Sequence, residues 1–176
     1  MTRRPDTSEH SAYLGRYIAT VPDGDITSTL DALGRETVHL LSAIGEEAAG
    51  HRYAADKWTV RSVVGHLIDC ERVFAYRALR IARGDATPLP GFDENAYAAV
   101  AGYDARSLED ILAEFAGVRT ATISLLRGLP PEAWSRIGTA SNAPISVRAL
   151  AWAIAGHELH HRSILRDQYR VIRDPR

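Results

Sequence analysis

Three of the seven histidines in the chain lie within five residues of one another, and two of them have helical spacing. His157 and His161 are four residues apart in the segment Gly156-His157-Glu158-Leu159-His160-His161. On a helix, this spacing places both imidazoles on one face with Cβ atoms roughly 6 Å apart, so both can bind one metal ion. His160 is turned about 60° from His157, toward the edge of that face. The pair therefore predicts part of a metal site.

A third ligand has to come from another helix, and His66 is the best candidate. It lies in the middle of the apolar segment Val63-Val64-Gly65-His66-Leu67-Ile68, where Gly65 allows close approach of another chain segment. The other histidines lie in the N-terminal segment and in or after the next predicted helix: His10, His39 and His51. Three neutral imidazoles with solvent completing the shell describe an open metal site. A hydrogen-bonded core histidine is the alternative interpretation of His66.

The same segment also matches the zinc-protease pattern HExxH, in which Glu158 would activate a water molecule. No histidine or glutamate follows His161 to provide a downstream third ligand, and the sequence predicts no upstream sheet. A protease is therefore a minor alternative.

Four long amphipathic helices are predicted to position these histidines. They run from Ile26 to about Ala49, from a cap at Thr59 to about Arg83, from a cap at Ser107 to Gly128, and from near Ser146 to about Tyr169. A shorter helix from about Ser8 to Ala19 precedes them, Gly84 to Arg106 forms a long crossover, and the segment from Gly138 to Pro144 is a turn. Convincing strand or hairpin patterns are missing. The sequence predicts one all-α domain over residues 1–176, a four-helix bundle.

The composition excludes several other classes of protein. The 176 residues carry a formal net charge of −1, which argues against a nucleic-acid partner. The single cysteine, Cys70, cannot form an internal disulfide and fits a reducing cytosol. The polar N-terminal segment has no signal-peptide pattern, and no run approaches the ~18 apolar residues of a membrane span. We therefore expect a cytoplasmic protein without a membrane partner.

Two segments resemble the signature segments of the DinB-like superfamily, a group of bacterial metal-binding four-helix proteins. They are Lys57-Trp58-Thr59-Val60-Arg61-Ser62-Val63-Val64-Gly65-His66-Leu67-Ile68-Asp69 and Gly156-His157-Glu158-Leu159-His160-His161-Arg162. The segments from Tyr17 to Ile26 and from Arg77 to Asp85 are similar to those of a subgroup. The resemblance implies a down-up-up-down homodimer-forming bundle in which His66, His157 and His161 hold a divalent metal ion. Zinc is the expected ion, with nickel or another transition metal as the alternative.

The resemblance also implies a function. Characterised relatives include S-transferases that use bacillithiol or mycothiol and a mycothiol-dependent maleylpyruvate isomerase, so we expect a transferase that joins a low-molecular-weight thiol to an electrophilic substrate. Two alternatives stay open: a metal-dependent hydrolase in which Glu158 assists a water molecule, and a non-enzymatic protein that binds a metal or small ligand. The sequence identifies no separate general base.

Other residues near the predicted site have competing interpretations. Asp69 and Cys70 lie near the face of His66, where Asp69 either orients an imidazole or is a surface acid. Cys70 is expected to be inert core rather than a ligand or nucleophile. Arg77, Arg80 and Arg83 form a basic stripe, with Arg72 nearby. Guanidinium groups suit the carboxylates of a thiol cofactor, but a helix face exposed to solvent or to an interface is the favoured interpretation. Tyr97 and Tyr103, in the long crossover, are weaker candidates for lining a pocket entrance. Gln168 is a weaker candidate for contacting bound solvent, and packing at the end of the core is its favoured interpretation.

Overall fold

The structure, a computed structural model, describes residues 3–172 and is mainly helical. Its α-helices are α1 (Ala12–Ile18), α2 (Ile26–Ser42), α3 (Gly45–Ala49), α4 (Val60–Ala82), α5 (Glu94–Val100), α6 (Leu108–Arg127) and α7 (Val147–Asp167). Short 3-10 turns occur at Thr7–Glu9, Tyr103–Ala105 and Pro131–Ser135, and two strands are β1 (Ile137–Ala140) and β2 (Ala143–Ser146). Within the described range, none of the helices combines the length and hydropathy that a bilayer crossing requires.

The capping residues predicted from the sequence begin three of the four long helices. The side chains of Thr59, Ser107 and Ser146 each accept a hydrogen bond from the backbone N–H three residues later, at the start of α4, α6 and α7. The helix predicted from Ile26 to Ala49 is instead divided into α2 and α3. The division occurs at Gly45, whose φ of 75° is incompatible with a continuous right-handed helix.

The four long helices form a bundle with the predicted down-up-up-down topology. In the bundle, α2 and α4 each pack against both α6 and α7. One core cluster joins the starts of α2 and α7 to the ends of α4 and α6, as shown by Ile26, Leu150, Ile81 and Leu126. The other joins the opposite ends, as shown by Leu41, Leu165, Val64 and Ile111. Consequently α2 and α7 run in one direction, and α4 and α6 run in the other.

A β-hairpin between α6 and α7 occupies the segment for which the sequence predicts only a turn. Its two-residue loop is Ser141 and Asn142, with φ of 52° and 61°, and positive φ at both positions matches the twist of a tight hairpin. The hairpin lies against α4, since a Cβ atom at Gly138 would come within 2.6 Å of Cγ1 of Ile81. The sequence did not predict this hairpin because a four-residue strand is too short to show a clear alternation of apolar and polar residues. The turn also lacks the usual Asn-Gly pair.

The crossover between α4 and α6 is also packed against the bundle. It contains α5 and the turn that includes Tyr103 and Asp104. Asp104 accepts hydrogen bonds from the hydroxyls of Thr59 and Ser62 at the start of α4. The Tyr103 ring lies on Gly65, where an added Cβ atom would be 2.1 Å from Cδ2 of the ring. This contact confirms that Gly65 permits a close approach beside His66.

A buried ionic network connects all four long helices at the centre of the bundle. In α6, Arg119 donates from Nε and Nη2 to the carboxylate oxygens of Glu71 in α4, at 2.9 and 2.8 Å. Its Nη1 donates to the carbonyl oxygen of Leu30 in α2 at 2.8 Å and lies 2.8 Å from Oε2 of Glu158 in α7. The other oxygen of Glu158 accepts a hydrogen bond of 2.6 Å from Thr37 in α2. One guanidinium therefore fixes the relative positions of four helices.

The first prediction concerns this network. Replacing Arg119 with methionine leaves Glu71 and Glu158 buried without their counter-ion, and we expect the free energy of unfolding to fall by about 3–5 kcal/mol. Urea denaturation followed by circular dichroism measures the change. The control is Arg35→Met, which removes an exposed ion pair with Asp31 and should cost less than about 1 kcal/mol. A similar small loss for both variants would contradict the role of the network.

Candidate metal centre

The two neighbouring helices α4 and α7 bring three imidazoles together. Nε2 of His66 lies 3.0 Å from Nε2 of His157, and Nε2 of His161 lies 3.1 Å from the same atom. One ring nitrogen from each residue lies within 4.8 Å of those of the other two. The three histidines predicted from the sequence are therefore neighbours in space. They are called the histidine triad.

The donor atoms of the triad suit a divalent transition-metal ion. Ligands at about 2.0–2.1 Å around a tetrahedral zinc ion are separated by about 3.3 Å, close to the nitrogen separations in the triad. Burial lowers the pKa of His66 to about 4 and that of His157 to about 3, and it lowers the pKa of His161 still further. The three rings are consequently neutral at physiological pH. Neutral imidazoles offer the lone pairs that such an ion requires.

Aromatic side chains surround the triad and limit its contact with water. The ring centroid of Trp58 lies 4.9 Å from that of His66, and Tyr17 in α1 lies 5.5 Å from His157. The approach of α1 depends on Gly156, because a Cβ atom at that position would lie 2.1 Å from the carbonyl oxygen of Tyr17. The glycine that precedes His157 thus allows α1 to cover one side of the triad.

Glu158 does not face the triad, so its expected role in assisting a hydrolytic water molecule is wrong. Its side chain is 1% exposed and is held by Thr37 and Arg119. Successive helical residues differ by about 100° in direction, which turns Glu158 toward the bundle centre while His157 faces α4 and α1. The HExxH protease interpretation fails for the same reason.

Asp69 and Cys70 are close to His66 but have structural roles. Asp69 accepts a hydrogen bond of 2.9 Å from the Tyr103 hydroxyl, so it supports the crossover rather than orienting an imidazole. Sγ of Cys70 lies 3.6 Å from Nδ1 of His66. Burial raises the pKa of Cys70 to about 12, and the thiol is therefore protonated. This agrees with the expectation that Cys70 is inert core.

The remaining histidines lie outside the triad. His160 is exposed at the edge of the α7 face, with its ring 5.2 Å from that of His161. The His10 ring contacts Gly15 in α1, His39 is exposed, and His51 packs against Tyr169 with a centroid distance of 6.3 Å.

A cavity of about 640 Å³ opens beside the triad. Its walls come from α1, the bundle, the crossover and the hairpin. The lining includes Tyr17, Trp58, Phe74, Arg77, Glu94 and Ser141. Sequence reasoning missed Glu94 and Ser141 because they lie in short elements far from the triad in the chain. It assigned Arg77 to a solvated stripe, but the structure buries Arg77 while Arg72 and Arg83 are exposed.

Comparisons with known proteins agree with this fold. A family model described as the DinB superfamily matches residues 29–165, which include all three histidines of the triad. YfiT from Bacillus subtilis, described as a probable metal-dependent hydrolase with an unusual four-helix bundle topology, superposes with a TM-score of 0.68 at 18% identity. The alignment covers 96% of this chain and 92% of YfiT. YjoA, a DinB-like protein from Bacillus subtilis, superposes with a TM-score of 0.60 at 20% identity, over 84% and 90% of the two chains. A search of curated proteins found no significant match.

The second prediction concerns metal binding. Protein purified without a polyhistidine tag should bind one equivalent of Zn²⁺, measured by calorimetry and by elemental analysis after dialysis. His161→Ala should weaken binding by at least about 100-fold, because losing a direct ligand costs more than losing an outer hydrogen-bonding partner. The matched control, His39→Ala, changes an exposed histidine and should bind normally. Substoichiometric metal in the unaltered protein, or normal binding by His161→Ala, would show that the triad is not a metal site.

The third prediction is that the metal-free protein becomes less stable as the pH falls below about 6.5. The unfolded chain takes up protons on imidazoles near pH 6.5, whereas the folded triad resists protonation until the lowered pKa values of about 4 for His66 and about 3 for His157. The contribution of the neutral imidazoles to the free energy of unfolding is therefore fully present above pH 6.5 and is lost as the pH decreases. We expect about 1 kcal/mol of loss for each imidazole between pH 6.5 and 5.5.

Urea denaturation across this pH range measures the effect. His157→Gln should reduce the pH dependence, while His39→Gln should leave it unchanged. Equal pH dependence in His157→Gln and in the unaltered protein would contradict the prediction.

Proposed function

The chain belongs to the DinB superfamily, and on that premise we propose that it is a metal-dependent hydrolase acting on a small electrophilic substrate. The observation that carries this proposal is the convergence of three neutral imidazoles at a cavity of about 640 Å³. A protein that only stores a metal ion has no need for such a space beside it. The description of YfiT as a probable metal-dependent hydrolase supports the same class of reaction.

In this proposal, His66, His157 and His161 would hold the ion, and the cavity that they line would give the substrate access to it. Zinc is the proposed ion because it accepts three imidazoles with one open position; nickel or another transition metal is the alternative. The ion would act as a Lewis acid and would lower the pKa of a water molecule or thiol bound to it.

The nucleophile is proposed to come from solution. Cys70, the thiol nearest to the triad, is protonated because burial raises its pKa to about 12. Oγ of Ser141 accepts a hydrogen bond from the guanidinium of Arg77, which is protonated and cannot take the serine proton. A water molecule is then the simplest nucleophile, and Trp58 and Tyr17 would keep other solvent away from the triad.

Glu94 is our candidate for the residue that accepts the proton from the attacking water. Its side chain lines the cavity at the start of α5 and is partly exposed. Within residues 3–172, no hydrogen bond or ion pair engages its carboxylate, which leaves it free for proton transfer. The negative charge of Glu94 also acts to raise the pKa of His66 and of Cys70, against and with the effect of burial, respectively.

Transfer of a low-molecular-weight thiol is the second candidate. The cavity volume favours it, because about 640 Å³ can admit a thiol beside a small electrophile. The thiol would replace water as the nucleophile, and Glu94 would take the thiol proton. The thiol partner, the homodimer and the cytoplasmic location stay predictions from the sequence and its family resemblance.

The fourth prediction tests Glu94 and separates the two reactions. Zinc-loaded protein is assayed for hydrolysis of 4-nitrophenyl esters and anilides, and for conjugation of bacillithiol, mycothiol or cysteine to monobromobimane. We expect hydrolysis to exceed conjugation. Glu94→Gln should lower kcat by about 10²–10³-fold with unchanged zinc content, because general-base catalysis contributes a factor of this size.

Glu132→Gln is the control, since this glutamate is exposed in the turn after α6 and does not line the cavity. Faster conjugation than hydrolysis would favour the thiol transferase. Zinc binding without turnover in either assay would favour a non-enzymatic metal-binding protein. Unchanged kcat in Glu94→Gln would remove this residue from the mechanism.

A further inference from the structure

Arg77 places a buried positive charge at the cavity without a carboxylate to balance it. The residue is 5% exposed, and within residues 3–172 it forms no ion pair. Its Nη2 donates to the carbonyl oxygen of Pro90 at 2.7 Å and to Oγ of Ser141 at 3.1 Å. These neutral acceptors engage one nitrogen of the guanidinium, and no partner in the described range engages Nε or Nη1. Burial consequently lowers the pKa of Arg77.

The other well-buried arginines have acidic partners. Arg119 is held between two carboxylates, and Arg148 forms an ion pair with Glu9. Arg162 lies 2.9 Å from a carboxylate oxygen of Glu36. Burying a charge without a counter-ion is costly, and folded proteins ordinarily avoid it unless another charged group binds there. Arg77 is therefore placed as a receptor for an anion that residues 3–172 do not supply.

We infer that the cavity binds a ligand whose carboxylate is received by Arg77 and Ser141, at the end of the ligand remote from the histidine triad. This inference deepens the proposed function, on which it rests for the position of the reacting bond.

The surroundings of Arg77 favour a carboxylate over a phosphate. Its guanidinium carbon lies 5.9 Å from the ring centroid of Phe74 and 5.7 Å from that of Phe92, so the group sits between apolar rings. A planar guanidinium pairs with a carboxylate through two parallel hydrogen bonds, here from Nη2 and one free neighbouring nitrogen once the carboxylate replaces Oγ of Ser141 at Nη2. A phosphate dianion would bring a second negative charge, and the described lining of the cavity holds no second arginine or lysine to meet it. Glu94 on the same cavity would also repel a dianion more strongly than a carboxylate.

The position of Arg77 also limits the shape of the ligand. Arg77 follows His66 by eleven residues in α4. The Phe74 ring between them has its centroid 5.9 Å from the guanidinium carbon of Arg77 and 6.3 Å from the ring centroid of His157. Both side chains line the same cavity. A ligand that reaches from the triad to Arg77 must therefore be elongated, with several atoms between its reacting bond and its carboxylate. Phe74, between them on the cavity wall, suits an apolar middle section.

The fifth prediction uses ligands that reach both ends of the cavity. Suberic acid monohydroxamate carries a metal-binding hydroxamate and a distal carboxylate, and its methyl ester is the matched uncharged probe. With zinc-loaded protein, calorimetry should show binding of the acid at least about tenfold tighter than that of the ester, because a hydrogen-bonded charge pair is worth this much. Arg77→Met should abolish the difference, and Arg77→Lys should retain part of it.

Arg80→Met is the matched control, since Arg80 lies on the same helix but pairs with Asp85 and does not line the cavity. It should keep the full preference for the acid. Thermal unfolding of each variant shows whether the fold is retained, and Arg77→Lys provides a charged variant if Arg77→Met is unstable. Equal binding of acid and ester to the unaltered protein would overturn the inference, as would an unchanged preference in folded Arg77→Met. Tighter binding of the phosphonate analogue than of the acid would overturn the choice of carboxylate.

A metal-free experiment separates this inference from the proposed function. Binding of octanoate and methyl octanoate to the metal-free protein is followed by the fluorescence of Trp58, with Trp58→Phe as the signal control. An Arg77-dependent preference for octanoate would support the inference even if the triad bound no metal. Loss of that preference in a protein that binds zinc and hydrolyses esters would refute the inference alone.

Discussion

The contacts of Arg119 at the centre of the bundle are the constraint on which the site depends. Glu71 follows His66 by five residues on α4, and Glu158 adjoins His157 on α7. When both carboxylates bind the same guanidinium, α4 and α7 cannot slide past one another without breaking a buried ion pair. Burial disfavours the charge, but the carboxylates of Glu158 and Glu71 raise the pKa of Arg119, so it remains charged. Such networks often contribute more to a unique arrangement than to net stability. Here the arrangement is the one that lets the imidazoles meet.

The long helices and the short elements have different tasks. Rigid helices hold the triad, because ring nitrogens about 3 Å apart require backbone positions that do not drift. The cavity beside the triad is enclosed by α1, α5 and the hairpin. Three glycines, which lack a Cβ atom, leave room for close contacts around this cavity. Gly156 contacts the carbonyl of Tyr17 in α1, Gly65 contacts the ring of Tyr103 in the crossover, and Gly138 in the hairpin contacts Ile81 in α4. In this chain the short elements thus shape the cavity, while the long helices hold the triad.

The charges around the cavity are unusual for a protein interior. Three imidazoles that burial keeps neutral lie at one end, and Arg77 lies at the other without an acidic partner among residues 3–172. Glu94 lies on the same cavity wall with a carboxylate that no described residue engages. In the bundle centre, by contrast, Arg119 is paired with carboxylates. Unbalanced charges occur where the protein faces the cavity, which is where ligands with complementary charge would balance them.

Local patterns in the sequence are enough to predict the long helices, apart from the break at Gly45, and the three candidate histidines. The side chains of Thr59, Ser107 and Ser146 cap helices from within one turn, and the spacing of His157 and His161 requires only that their segment be helical. Contacts between side chains from different elements follow only from the tertiary packing, so the roles that depend on them could not be predicted from local patterns. Glu158 is next to His157 in the chain, but its carboxylate pairs with Arg119. Arg77 and Arg80 belong to the same basic stripe in the sequence, but Arg77 is buried at the cavity. Glu94 and Ser141 join that cavity through segments with little periodicity of their own, so no local pattern could have placed them there.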